Sequence, residues 1–369
     1  MDIVSGIGEN SIRHKVCWKR NERKEGIAMV RGERVFVTGG TGFVGRNLVD
    51  YLLGEGMEVT CLVRPGSRHD FLRREGVRLV VGELSDESVL ADCLSGVSRV
   101  FHVAGSVAAF SYAEMLRVNC HLTECLARVC VEQEKPPIFL YVSSLAAAGP
   151  AKSSRRLRVE SDVPGPISDY GRSKLAAEEV LRRYADRLPI TVVRPPMIFG
   201  HYDKEMQKWL KTIRKLGIFF IPAYRPYRFS MIEVQDLARL MILASEKGER
   251  LPAHEEMYVQ NPGQGIYYAS HWEYPSYLEM GKLFGSAMGR RHVLTLPISP
   301  PISYLGAYLC YWWSRWRGRP MLPTPDKVRE GLAGSWLCSA EKARRQLGFE
   351  PREPLVEQIQ KLASTTIPY

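Results

Sequence analysis

From Arg34 onward, apolar runs of strand length alternate with stretches whose apolar residues recur at helical spacing. RVFVTGG is followed by a helical pattern from Val44 to Gly54, then MEVTCLV, VRLVVGEL and a helical pattern from Glu87 to Leu94. RVFHVAG, a helix around Met115 to Glu132, the strand IFLYVSS, a helix from Tyr170 to Ala185 and the strand ITVVRP continue the series. A later run, MYVQNPG, reads as one further strand returning to the same sheet. Strands alternating with helices in this way predict βαβ units and a parallel sheet.

The fold expected is α/β, a Rossmann-type doubly wound parallel sheet with a smaller, mostly helical C-terminal substrate-binding portion. Its nucleotide-binding domain covers 33–194, with 230–263 returning to it. From Pro195 to Glu233 and from Ile266 to the end the pattern loosens into proline- and aromatic-rich segments, so 195–229 and 264–369 are assigned to the substrate side. Residues 1–32 mix charges with polar residues and hold no apolar segment of signal-peptide length. They read as a disordered tail, with Met29 as an alternative start.

With 369 residues, 45% apolar and 25% charged, the chain is long enough for one large or two closely joined globular domains. Eight scattered cysteines form no CxxC pair and no Cys/His ligand spacing, so neither a disulfide framework nor a metal site is expected, and a cytoplasmic setting fits. The net charge of +11 is spread over several segments without a recognised nucleic-acid motif, which sets nucleic acid aside.

The first strand runs into Thr38-Gly39-Gly40-Thr41-Gly42-Phe43-Val44-Gly45 and then a helix. Gly39 permits a tight turn, Gly42 lets backbone N–H groups approach a pyrophosphate, and Gly45 lets the helix pack on the strand. The N-terminus of that helix faces the anion with its unpaired donors, and Phe43 and Val44 are assigned to the cofactor site with the glycines. Glycine-rich turns also serve structure alone, but the flanking strand and helix supply the context for a dinucleotide. After the second strand, where a carboxylate would hold the ribose hydroxyls of NAD, stands Arg64. A guanidinium there pairs with a 2′-phosphate, which tilts the choice between NAD and NADP towards NADP; a solvated loop arginine is the other reading.

Tyr170 and Lys174 are four apart at the start of a helical pattern and so share one face. A phenol with a pKa of about 10 exchanges protons poorly at neutral pH unless nearby cations stabilise its phenolate. Such a pair is common on ordinary helices. Ser143-Ser144 changes the odds, because it ends the preceding strand where parallel sheets place ligands, and a hydroxyl there can donate to a carbonyl oxygen.

With these residues in view the chain resembles the extended short-chain dehydrogenases/reductases of the NAD-dependent epimerase/dehydratase superfamily, in the 3β-hydroxysteroid dehydrogenase and dihydroflavonol reductase-like branch. The resemblance runs from Arg34 to the C-terminus through TGGTGFVG, GEL, FHVAG, Asn119, YVSSLAAAG, YGRSK, RPPMIFG, DLA and KARRQLGFEP. It implies an NAD(P)-dependent enzyme with Ser144, Tyr170 and Lys174 as catalytic residues, Lys174 also holding the nicotinamide ribose. It implies further that Asn119 steadies the site, that Ala104, Gly105 and Pro195 line the cofactor, and that Glu83 with Leu84 lies near the adenine. Glu83 replaces the family's usual aspartate, and Glu233 stands where a histidine is common, which puts a substrate contact there in doubt. A homodimer through two helices per subunit is a further implication.

In nucleotide-sugar epimerases and dehydratases the segment after the arginine strand carries an asparagine that contacts the substrate diphosphate; here Met197 holds that place. A thioether cannot replace an amide donor, so the expected substrate is a small hydrophobic ketone or alcohol, sterol-like or long-chain, interconverted by hydride transfer. A nucleotide-sugar epimerase or dehydratase is the alternative. A non-catalytic dinucleotide sensor is the alternative of another class, opposed by the intact Tyr/Lys pair. Residues 302–314 are uncharged and apolar on nearly every face, yet about 20 Å of helix falls short of the roughly 30 Å of a bilayer. A buried helix is the expectation, with a pocket lining or a peripheral membrane contact as the other readings. The basic stretch from Lys204 to Arg228 reads as a solvated amphipathic face, with an anionic carrier or lipid headgroup as the sharper reading.

Overall fold

In the computed structural model, residues 32–222 and 225–366 are described. The tail expected for 1–32 therefore lies outside the described residues, save Gly32. In chain order the elements are β1 (Arg34–Thr38), α1 (Phe43–Gly54), β2 (Glu58–Val63), β3 (Val77–Val81), α2 (Glu87–Leu94), β4 (Arg99–His102), α3 (Tyr112–Leu116), α4 (Leu122–Val131), β5 (Ile138–Val142), α5 (Leu145–Ala148), α6 (Asp169–Arg182), β6 (Ile190–Arg194) and β7 (Met197–Phe199). Then follow α7 (Lys204–Leu216), β8 (Ile218–Ile221), β9 (Met231–Glu233), α8 (Val234–Lys247), α9 (Glu255–Gln260), β10 (Ile266–Tyr268), α10 (Tyr277–Ala287), β11 (Leu294–Pro297), α11 (Pro300–Trp316), α12 (Pro325–Leu332), α13 (Glu341–Leu347) and α14 (Leu355–Thr366).

Seven parallel strands form one sheet in the order β10-β6-β5-β4-β1-β2-β3. The central strands are continuous apolar runs because both faces are covered. On one face Leu48, Val49 and Leu52 of α1 meet Leu237, Leu240 and Met241 of α8 and Leu347 of α13. On the other, Leu90 of α2, Leu126 and Val129 of α4, and Ala177 and Leu181 of α6 close the layer. The chain runs outward from β1 through β2 and β3, then crosses to β4 and runs outward the other way. The strand order thus reverses between β1 and β4, where such sheets open a ligand crevice. A third apolar cluster, built on α7, β8, α10 and α14, holds Leu210, Ile213, Phe219, Phe284 and Ile359.

Three expectations are corrected. MYVQNPG is not a strand: Met257 and Val259 lie exposed on the short helix α9, and the strand that joins β6 is Ile266–Tyr268, buried throughout. Gly263 and Gly265, both at positive φ and pressed against the Glu160 and Arg250–Leu251 backbones, turn the chain into the sheet at a place where a Cβ would clash. The segment returning to the sheet therefore extends past residue 263, and α13 packs on α8 and β10 as well. The helix expected from Met115 to Glu132 is broken by a π-helical turn at Arg117–His121, which turns Asn119 inward. The apolar segment at 302–314 is a helix but not a buried one, because α11 buries only its small residues Ala307 and Ser314, half-buries Tyr304 and Tyr311, and leaves most of its large side chains exposed. Among the described residues no helix is long and apolar enough to cross a membrane, and no cluster of metal-ligating side chains occurs.

Candidate active site

Gly39 has φ +75°, and a Cβ there would lie 2.7 Å from the backbone nitrogen of Ala104, so only glycine lets the turn after β1 touch the turn after β4. At Gly45 a Cβ would fall 2.1 Å from the Gly39 carbonyl oxygen, which locks α1 against the turn. Gly42 caps α1 with no side-chain hydrogen bond, and the first turn carries no acidic residue. The helix N-terminus thus presents open N–H donors and the positive end of its dipole to the crevice, a cradle that fits the pyrophosphate of a dinucleotide. Phe43 and Val44, both half-buried, stand in that first turn.

At the C-terminal end of β5 the chain turns through Ser143 and Ser144 into α5. Gly171 brings α6 so close that a Cβ would lie 2.3 Å from the Ala146 carbonyl oxygen, and this contact joins Ser144 to Tyr170. The Ser144 hydroxyl faces the Tyr170 phenol and favours its phenolate. The Ser144 Oγ also accepts from the Ala146 N–H at 3.1 Å, which fixes its orientation and leaves its proton free to donate. Ser143 is spent elsewhere, on the buried carboxylate of Glu178. Burial pushes the Tyr170 phenol above its ordinary range, opposed by the ammonium of Lys327 and the Ser144 hydroxyl.

Lys174 is buried, and its Nζ donates to the Val142 carbonyl at 2.7 Å. Burial pushes its pKa down to about 7, with the Glu178 carboxylate pulling the other way. Glu178, four residues further along the same helix face, is itself gripped by Arg194 at 2.9 and 2.5 Å in a fully buried ion pair. Asn119 holds the loop after β4 onto α6: its Nδ2 donates to the Ser106 carbonyl and to Ser173 Oγ, both at 2.9 Å, and its Oδ1 accepts from the Ser106 N–H at 2.7 Å. A Cβ at Gly105 would lie 3.1 Å from that Oδ1 and 3.8 Å from Lys174 Nζ.

The structure therefore brings together Gly39, Gly45, Ala104, Gly105, Asn119, Ser144, Tyr170 and Lys174. Pro195 is buried beneath Ser144, its carbonyl accepting from the Leu145 N–H at 2.8 Å. Arg64 is exposed after β2, and Glu83 is exposed with half-buried Leu84 after β3, at the other end of the crevice. Glu233 turns inward to cap α8, accepting from the Gln235 and Asp236 N–H groups. Burial, helped by Asp236, pushes its carboxyl up to about 8.

Sequence reasoning missed several members. His102, in the FHVAG segment, bridges Thr38 Oγ1 at 2.7 Å and Thr123 Oγ1 at 2.8 Å, and burial pushes it down to about 3, so it is a neutral link between β1 and α4. A histidine at the buried end of a strand is the signal that could have found it. Glu178 and Arg194 carry the weaker signal of ionisable residues in apolar runs. Lys327, Asp326 and Glu330 of α12 carried none, lying some 157 residues from their partners on α6. Asp326 accepts from the Asp169 and Tyr170 N–H groups, Glu330 bonds the helix-capping Ser168, and Lys327 lies over the Tyr170 ring.

Comparison with known proteins agrees with this geometry. The family described as the NAD dependent epimerase/dehydratase family matches residues 35–259. The ceramide reductase of Caulobacter vibrioides is 30% identical, covering 83% of this chain and 86% of the relative. The decarboxylating sterol-4-alpha-carboxylate 3-dehydrogenase of Dictyostelium discoideum is 23% identical over 86% of this chain and 96% of its own length. The solved UDP-glucose 4-epimerase of Thermotoga maritima superposes with a TM-score of 0.68 at 20% identity, covering 90% of this chain and 97% of that one, a likeness of fold. Glycine cradle, parallel sheet and matched residues together place the chain in the NAD-dependent epimerase/dehydratase family, as an extended short-chain dehydrogenase/reductase.

Proposed function

We propose that the protein interconverts a hydroxyl and a ketone on a hydrophobic, sterol-like or long-chain substrate, with Tyr170 as acid/base. The observation that carries this reading is the convergence of Ser144, Tyr170 and Lys174 beside the Gly39–Gly45 cradle. A bound nicotinamide supplies or accepts the hydride. In the reducing direction Ser144 donates a hydrogen bond to the substrate carbonyl oxygen, and Tyr170 passes its phenolic proton to that oxygen as the carbonyl carbon is reduced. In the oxidising direction the Tyr170 phenolate takes the hydroxyl proton. Lys174, whose Nζ donates to the Val142 carbonyl, is assigned to hold the nicotinamide ribose and to favour the phenolate once the cofactor is bound.

An apolar substrate is favoured by Met197, which starts β7 and packs half-buried against the third apolar cluster without offering an amide. The ceramide reductase and the sterol dehydrogenase carry names of apolar substrates, in line with this choice. Exposed Arg64 after β2 favours NADP over NAD. The test is a screen of ketones and alcohols, with nucleoside-diphosphate sugars alongside, followed by nicotinamide absorbance. Turnover within the apolar series is the expected result. Turnover of a nucleotide sugar alone overturns the substrate class, and turnover of none with tight cofactor binding turns the reading to a dinucleotide sensor.

A further inference from the structure

We propose that α11 and the β8–β11 ribbon form a face that docks, without crossing, on the surface of an anionic lipid bilayer. Ile302, Leu305, Leu309, Trp312 and Trp316 follow one another at helical spacing along a single stripe of α11, and every one is more exposed than buried, Trp312 at 66% and Trp316 at 78%. Tyr308 and Trp313 flank the stripe and are also exposed. Soluble surfaces rarely carry so continuous an apolar patch. Aromatic rings with a polar edge beside branched aliphatic chains are the side chains that favour a membrane–water boundary.

The ribbon gives a second, independent observation. In its parallel register Leu294 lies opposite Ile218 and Leu296 opposite Phe220, so these four share one face. Phe220 and Leu294 are 51% and 58% exposed on that face, while Phe219 and Ile221 on the other are buried in the core. The chain passes from β11 into α11 through Ile298 and Ser299 alone, so the two apolar surfaces are continuous in the backbone.

Charge decides between a bilayer and a second copy of the chain. No acidic residue occurs between Glu279 and Asp326, whereas Lys282, Arg290, Arg291, Arg315, Arg317 and Arg319 fall within that stretch and are exposed. Arg290 also lies against the carbonyls of Arg214 and Lys215 at the end of the basic helix α7, which brings further cations to the ribbon. A symmetric dimer through this face would set these cations against their own copies. Anionic headgroups neutralise them. At 17 residues α11 is about 25 Å long, short of a span, and its inner side rests on α12 and on Phe110 in the loop beyond Gly105. Since α12 also carries Lys327 over Tyr170, docking would hold the crevice next to the lipid. The docking does not depend on the chemistry proposed for Tyr170.

Flotation of the full-length protein with vesicles of phosphatidylcholine alone, and of phosphatidylcholine with phosphatidylglycerol, tests this. Wild type should float with the anionic vesicles, about tenfold more than with the neutral ones, and its tryptophan emission should shift to the blue. The triple variant Leu309→Glu, Trp312→Glu, Trp316→Glu should lose flotation while keeping its circular dichroism and its affinity for NADP(H). Should that variant misfold, Arg315→Gln, Arg317→Gln, Arg319→Gln should still lose the preference for anionic vesicles. Wild type failing to float with either vesicle overturns the proposal, as does a dimer seen by light scattering that the glutamate variant dissociates.

Discussion

The ammonium of Lys327 lies 5.0 Å from the ring centroid of Tyr170 and is tied at 2.6 Å to Glu330, whose other oxygen holds the helix-capping Ser168. A C-terminal helix thus places a cation beside the phenol of Tyr170, one turn from Lys174 on α6. Lys327 favours the phenolate and Glu330 opposes it. Lys327→Met should therefore move the titration of Tyr170 upward, lowering alcohol oxidation up to about tenfold at neutral pH and recovering it as the pH rises. Lys327→Arg should restore the profile. A loss equal at every pH would mean that Lys327 serves only to hold α12 in place.

Tyr170→Phe should abolish turnover and leave cofactor affinity close to wild type, since only the transferable proton goes. The packing of α5 on α6 depends on Gly171 and not on the hydroxyl, so the variant should stay folded. Single-turnover rates and cofactor titration together decide. Retention of more than about a tenth of the wild-type rate excludes Tyr170 as the acid/base, because such catalysis is worth at least ~100-fold.

Most of the sheet was legible because its strands and helices have distinct periods. α2 fell on Glu87–Leu94 as read, and β1, β2, β5 and β6 within two residues. Legibility ended where the decisive contact was distant in sequence. Met257 and Val259 look like strand residues until exposure shows that nothing covers them, while the short IYY run at 266–268 is a strand only because β6 is there to pair with it. The uniformly apolar sequence of α11 could not reveal which side met the protein. Within the site, the glycine turn and the Tyr/Lys spacing were local and visible. The clamp of Asp326, Lys327 and Glu330 on α6 was not, since it joins residues that only the folded chain brings together.

For the cofactor, Arg64 stands exposed after β2 with no carboxylate in the matching place. NADP(H) should bind more tightly than NAD(H), and Arg64→Ala should erase the difference by weakening NADP(H) alone. Fluorescence titration of both nucleotides measures it. Equal affinities in wild type, unchanged by the substitution, make Arg64 a solvated loop residue.

The buried Lys174 links pH to stability. Its pKa is pushed down to about 7 in the folded chain against an ordinary 10.5, so above pH 7 the unfolded chain binds more protons than the folded one. Stability contributed by this group therefore rises with pH between about 7 and 10.5 and is lost as pH falls through 7. Lys174→Met, which keeps the stem and removes the charge, should flatten that part of the profile. Urea midpoints of the cofactor-free protein across this range give the comparison, and parallel profiles for the two proteins would refute the assignment.

The substrate prediction rests on Met197 and on the aromatic contact beyond Gly105. Met197 offers no amide, and Phe110 and Tyr311 meet edge to face 6.4 Å apart where the loop after β4 touches the inner side of α11. Trp312 and Trp313 point away from that contact into the open, so they are not pocket residues. Each added square ångström of apolar contact is worth about 25 cal/mol before ordering costs, so catalytic efficiency should climb with the ring or chain size of the ketone. Phe110→Ala should weaken the largest substrates most. Trp312→Ala should leave the same series unchanged when the substrates are presented in solution. An efficiency that is flat across the series, or equally reduced for small and large ketones by Phe110→Ala, would show that the apolar substrate does not reach this part of the molecule.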